Sequence, residues 1–260
     1  MKFQVVAGLL CGVVLATSAY AQTAFERGSD KAIEDLFKSI DDKNAEFRES
    51  LDRDFRNSVV RGAQGETDVK AYLEDLDEAV KAAADRFTDK YSASAEVKTL
   101  LTRAAPAHAY VRAHPELSGA SEWDQLAGDL NRLAQSYGAT FPLATPEAPV
   151  RRIGDGELRT SLDALSSIGE QAANALKRAA RDTPALATNA TSAAALGETA
   201  EALQERISKD QPATAQARQL QAAAAKVDGE MAAATVPGAV KDIWKPAAEH
   251  VAKVVQAFGL

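Results

Sequence analysis

The sequence predicts an all-α fold of two tandem up-and-down four-helix bundles that arose by internal duplication. Apolar residues recur at steps of three and four, the helical period, and no stretch shows strand-like alternation. The phrase WDQLAGDLNRLAQSYG, Trp123 to Gly138, returns at the end of the chain as WKPAAEHVAKVVQAFG, Trp244 to Gly259. Between the two stretches lies ATFPLATPEAPVRRIGDG, whose three prolines stop helix and favour extended backbone.

The chain opens with a positive Lys2, an apolar run from Val5 to Thr17 and a small-x-small site at Ala19-Tyr20-Ala21. This is the pattern of a signal peptide over residues 1–21, cleaved near Ala21, and it predicts a periplasmic or secreted protein starting at Gln22. The run is shorter than the roughly 20 residues that span a bilayer, so no integral membrane span is expected in the mature chain. Cys11 sits behind Leu9 and Leu10, where a lipid-modification box would want small residues. Cleavage removes this single cysteine, leaving no disulfide and no thiol chemistry.

Four helices are expected in the first copy, residues 22–141. The first carries Ile33, Phe37, Ile40, Phe47 and Leu51, and the second Val69, Leu73, Leu76, Val80 and Phe87. The third carries Val97, Leu101, Ala104, His108 and Val111, with Pro106 inside it as a predicted kink or restart. The fourth carries Trp123, Leu126, Leu130, Leu133 and Tyr137, and Gly138 is placed to end it with a left-handed cap.

After a Pro-rich linker, residues 142–156, the second copy, 157–260, repeats the scheme. LRTSLDALSSIGEQAANALKRAARD, from Leu158, aligns with IEDLFKSIDDKNAEFRESLDRDFRN, from Ile33, at an offset of 125. LGETAEALQERIS aligns with LDEAVKAAADRFT, and TAQARQL with SAEVKTL, both at 120; the Trp phrases align at 121. Such nearly constant offsets predict duplication, with five extra residues between the first two helices of the first copy. Large residues of copy one become Ala in copy two, as at Phe47 against Ala172 and Leu126 against Ala247. Ala-lined helices approach closely but bury less apolar area, so copy two is expected to be the less stable unless it leans on copy one.

Removing Lys2 from the 30 bases leaves 29 against 37 acids, a net charge of -8. A chain this acidic gains little from counterion release, which argues against a nucleic-acid partner, and it is unsuited to an anionic membrane surface. The excess is uneven: 16 bases and 23 acids lie in 22–140, and 13 and 14 in 141–260.

Chemistry-bearing patterns are sparse. No Cys-x-x-Cys-His, His-Glu-x-x-His, Glu-x-x-His or Gly-x-Ser-x-Gly occurs, so no catalytic residue, no metal site and no cofactor is predicted. Haem or another ligand would need an inward His or Met, which makes His108, Met231 and His250 the candidates for a cofactor-binding role. His114 is read as a helix-end cap. Asp52 to Asn57 lacks the turn glycine of a calcium loop, and Asp75, Asp77 and Glu78 read as a solvated face. Asn189-Ala190-Thr191 matches a glycosylation acceptor in three residues only.

The leading functional expectation is a non-enzymatic bundle protein of bacterial-envelope composition. It would act through its surface on a protein or envelope component, in binding, scaffolding or envelope maintenance. The alternative is a carrier of a small apolar ligand (lipid, pigment or haem) inside copy one, whose Phe37, Phe47, Phe55, Tyr72, Phe87 and Tyr110 could line a pocket. A hydrolase built on His108 is the third reading.

Overall fold

A computed structural model describes residues 27–62, 65–233 and 235–260; the signal peptide read from residues 1–21 lies outside them. The fold is mostly helical, and no described helix is long and apolar enough to cross a membrane.

Helix α1 (Asp30–Ser50) starts where the Ser29 hydroxyl accepts the Ala32 N–H at 3.2 Å, and it buries Ile33, Phe37, Ile40 and Phe47. A one-turn helix α2 (Arg53–Arg56) and an antiparallel hairpin, β1 (Val59–Gly62) and β2 (Gly65–Asp68), lead to α3 (Val69–Arg86), capped by Asp68 on the Ala71 N–H. Helices α4 (Ser94–Ala113) and α5 (Ala120–Ser136) follow. Neighbours pack in a ring, α1 on α3, α3 on α4, α4 on α5 and α5 on α1, around a core that includes Trp123, Leu126, Leu130 and Leu133. Gly138 ends α5 at φ 67°, and the Ala139 N–H reaches back to Ala134 O at 2.9 Å, the left-handed termination expected of that glycine.

The hairpin is a small two-stranded sheet in an otherwise helical fold, formed where the sequence shows no strand-like alternation. Its register pairs Val59 with Asp68 and Val60 with Thr67. Every residue of β2 is exposed, so no buried face imposes an alternating pattern that a sequence could show. Arg61 and Glu66, opposite each other in that register, form an ion pair at 2.7 Å.

The second core is built by α6 (Asp155–Ala179), α7 (Leu186–Ser208), α8 (Thr214–Met231), α9 (Gly238–Trp244) and α10 (Ala247–Phe258). Here α6 packs on α7 and α10, and α8 on α7 and α10. The phrase from Trp244 is not a continuous helix. Pro246 has no N–H for the ladder and stands between α9 and α10, so Trp244 closes the shorter helix while Trp123 lies inside α5.

Where α6 crosses α7, glycines let the backbones touch. A Cβ on Gly169 would lie 2.8 Å from Ala193 O and 3.0 Å from Gly197 N, and one on Gly197 would lie 3.3 Å from Ser166 O. At the offsets of 125 and 120 these glycines correspond to Asn44 and Asp77. Asn44 is fully buried and donates to Asp77 at 3.2 Å; Asp77 also holds Arg48 at 3.0 Å and Lys81 at 2.8 Å. Side chains thus space α1 from α3, whereas α6 and α7 meet directly.

The two halves join where the N-termini of α1 and α6 meet. The Asp30 N–H donates to Asp155 Oδ2 at 2.9 Å, and the Asp155 N–H donates to Asp30 Oδ2 at 2.8 Å. Arg152 pairs with Asp30 at 2.8 Å and donates to Gly28 O at 2.7 Å; Arg27 pairs with Asp155 and donates to Ile153 O at 2.8 Å. Each contact has a counterpart with every number shifted by 125, and the four side chains are between 1% and 12% exposed.

Two stability predictions follow from this packing. Arg152→Ala strands the Asp30 carboxylate in a buried site and lowers the unfolding free energy by about 3–5 kcal/mol; a urea titration showing less than about 1 kcal/mol would mean that the clasp does not hold the halves together. Gly169→Ala costs about 1–3 kcal/mol by pressing a methyl group onto backbone. Gly229→Ala, in α8 with nothing within 4 Å of the added carbon, is the neutral or stabilising control.

Candidate functional site

Spacing α1 from α3 leaves an apolar cleft of about 240 Å³ in the first half. Phe47 of α1 and Leu51, which follows its last turn, form one wall, and Val69, Tyr72 and Leu73 of α3 another. Pro106, Ala107, Tyr110 and Val111 of α4 close the far side, and Leu117 lines it from the α4–α5 connection. Phe55 of α2 and Val60 and Thr67 of the hairpin form the cover. Phe55 stacks on Tyr110, with ring centroids 5.7 Å apart and 26° between planes, so the cover is seated by aromatic contact. Among the described residues no Asp, Glu, Lys, Arg or His lines the cleft.

Pro106 shapes its floor. Helix α4 runs through this residue without the restart that proline permits. The Tyr72 hydroxyl donates to Arg103 O at 2.5 Å and accepts the Ala107 N–H at 3.1 Å, bridging two groups that a regular turn would pair directly. Burial pushes the Tyr72 phenol up to about 12, so it stays a donor across the physiological range.

The corresponding positions of the second half are built differently. Phe47 corresponds to Ala172 and Leu73 to Ala193, both buried, and Tyr72 and Tyr110 correspond to Ser192 and Glu230, hydrogen-bonded at 2.9 Å. Of the six aromatic residues singled out in the sequence, Phe47, Phe55, Tyr72 and Tyr110 line the cleft. Phe37 and Phe87 pack on each other at 5.6 Å elsewhere in the core.

The residues named as cofactor candidates lie apart from the cleft. His108 accepts the Trp123 indole N–H through Nδ1 at 3.3 Å and packs edge-on against Phe141. In the second half the Trp244 indole donates to Asp228 Oδ1 at 2.6 Å, at the positions related by the repeat offsets. His108 therefore serves as the acceptor for a core tryptophan. Met231 is buried in the second core, and His250 is half-buried on α10. Among the described residues no group of three or more His, Cys, Asp or Glu could hold a metal ion.

A buried constellation went unread in the sequence. The Asp129 carboxylate, wholly buried, accepts from Ser39 at 2.6 Å and Lys43 at 2.7 Å and pairs with Arg132, tying α5 to α1. Burial pushes its pKa up, but the bonds from Lys43 and Ser39 and the charge of Arg132 outweigh that and hold it below the ordinary carboxylate value. The signal was Ser39 and Lys43 one turn apart on α1, facing an Asp set among Leu126, Leu130 and Leu133. The related positions are Ala164, Ile168, His250 and Lys253, so the network belongs to one half.

Comparison with protein-family models, curated proteins and solved structures found no match to this chain.

The His108 environment sets a pH dependence. Burial, and then the Arg112 cation, hold its pKa below the usual 6.5. The unfolded chain therefore binds a proton first as the pH falls through 6.5, and His108 makes stability fall between that value and its own lower one. His108→Asn keeps an acceptor for Trp123 without titrating, and it should lose less stability than the parent between about pH 7 and pH 5.5. Equal losses in paired denaturant melts would contradict this origin.

Proposed function

We propose that this chain is a periplasmic or secreted, non-enzymatic carrier protein, cut near Ala21, whose first half holds a small apolar ligand in the cleft between α1, α3 and α4. The carrying observation is that the cleft is walled by aromatic and aliphatic side chains, free of ionised groups among the described residues, and spaced open by the Asn44–Asp77 contact. The α2 and hairpin cover falls in the stretch where the first half has five residues more than the second.

The same proposal takes the chain as two tandem up-and-down four-helix bundles derived by duplication. Three correspondences support it. The Arg27 and Arg152 contacts exchange under a shift of 125, both tryptophan indoles donate to related residues of the third helix, and both fourth helices close on a left-handed glycine at φ 67° and 62°.

The cleft moves the weight from surface scaffolding on a protein or envelope component to ligand carriage. Its volume is below the roughly 300–1,000 Å³ of drug-sized sites, and among the described residues no His, Met or Cys lines it. An alkyl chain suits it better than haem. With its Nδ1 engaged by an indole, His108 lends no support to hydrolysis.

The neutral dye N-phenyl-1-naphthylamine tests the cleft. Its emission should rise on binding to the mature protein at one site per chain, and Ala107→Phe, which fills the floor, should abolish the rise while the thermal melt remains cooperative. No enhancement in the parent, or equal enhancement in the variant, would remove the cleft from the proposal.

A further inference from the structure

On the other side of α2 from the apolar cleft lies a polar groove of about 560 Å³. Four cations line it, Arg48, Arg53, Arg56 and Lys70, against two acids, Glu49 and Glu74. Leu73 lines both the groove and the cleft, so the two are contiguous. Helix α2 divides them: Phe55 faces the cleft, while Arg53 and Arg56 on either flank face the groove.

Among the described residues the ion pairs of the groove leave two guanidinium groups, Arg53 and Arg56, against one unpaired carboxylate, Glu49, a net positive charge. Arg48 is engaged by Asp77 at 3.0 Å, and Lys70 lies 4.0 Å from Glu74. Among the described residues Arg53 and Arg56 have no carboxylate within ion-pair distance, and the Arg56 Nε–H is buried without a hydrogen-bond partner. Two unpaired guanidinium groups beside an uncharged cleft are unexpected in a half that carries an acid excess. Each offers a planar fork of donors that fits a carboxylate or a phosphate oxygen pair.

We propose that cleft and groove are the two ends of one site for a single-chain anionic amphiphile, with the alkyl chain in the cleft and the head group on Arg53 and Arg56. The proposal rests on the reading of the cleft as a ligand site and adds the charge of the ligand. Burial of the chain supplies affinity without polarity, and the guanidinium groups fix which end stays at the mouth. One turn of helix thus carries both recognition elements, an aromatic for the tail and two cations for the head.

Calorimetric titration of the full mature chain with decanoate, decyl phosphate and decan-1-ol separates the terms. At least one anion should bind roughly tenfold more tightly than the alcohol, the gain of one charge-assisted hydrogen bond, and the tighter anion identifies the head group. In the double variant Arg53→Gln/Arg56→Gln that advantage should vanish while decan-1-ol binds as before, which also shows that the cleft is intact. Equal binding of all three ligands, or an anion advantage that survives the double variant, overturns the head-group assignment and leaves the cleft standing. Failure of every ligand to bind overturns the cleft reading itself.

Discussion

Two buried Arg–Asp pairs at the meeting point of α1 and α6 set the frame on which both cores are built. Ionised groups in such a place are costly to desolvate, and attraction offsets that cost only when nearly every donor and acceptor is used. Here each carboxylate takes a guanidinium and the first N–H of the opposite helix, so the positive end of each helix dipole meets the other helix's acid. Burial, followed by the neighbouring Arg152 cation, draws the Arg27 guanidinium below its ordinary value, and Asp155 pulls it back. Both arginine Nε–H groups are buried without a partner among the described residues, the residual cost of the arrangement. The opening helix of each half is thereby set against the other, and the helices packed on it follow.

From that shared frame the halves diverge at one crossing. Backbone contact at Gly169 and Gly197 brings α6 against α7, and the alanines around it, Ala172, Ala193 and Ala200, are wholly buried without needing bulk. Asn44 and Asp77 prevent the same approach in the first half. Large side chains then have to fill the gap, and where they stop short the cleft remains. The aromatic composition of the first half and the alanine composition of the second go with this difference in helix separation.

The parts of the fold that a helical period can encode were readable from the sequence. The stripes from Ile33, Val69, Val97 and Trp123, and the glycine stop at Gly138, fall where the periodicity places them. The hairpin was hidden because its second strand is exposed throughout, and the α9–α10 break because the phrase from Trp123 holds Gln125, a residue helix tolerates, at the place of Pro246. The clasp was visible as Arg27-Gly28-Ser29-Asp30 and Arg152-Ile153-Gly154-Asp155, but the first lay outside the aligned helices and the second inside a stretch read as linker. The cleft could be guessed only as an aromatic surplus. Its position depends on Asn44 meeting Asp77 across two helices, 33 residues apart, which no local pattern carries. His108 fell on the apolar stripe as read, and what assigned its role was the indole aimed at Nδ1.

The proposed duplication explains why symmetry survives at the clasp and is lost elsewhere. A change to one member of the clasp leaves an opposite charge buried and unpaired, so the four residues can be replaced only together. The two cores share no residues, and distant sites with no shared partners usually add to within about 0.3–0.5 kcal/mol. Each interior was therefore free to drift by itself once the joint was set. A closed, alanine-lined interior stands on one side of the joint, and on the other the half keeps an open cleft and an arginine-bearing cover. Ligand carriage by one half only is what such a division of constraint would produce.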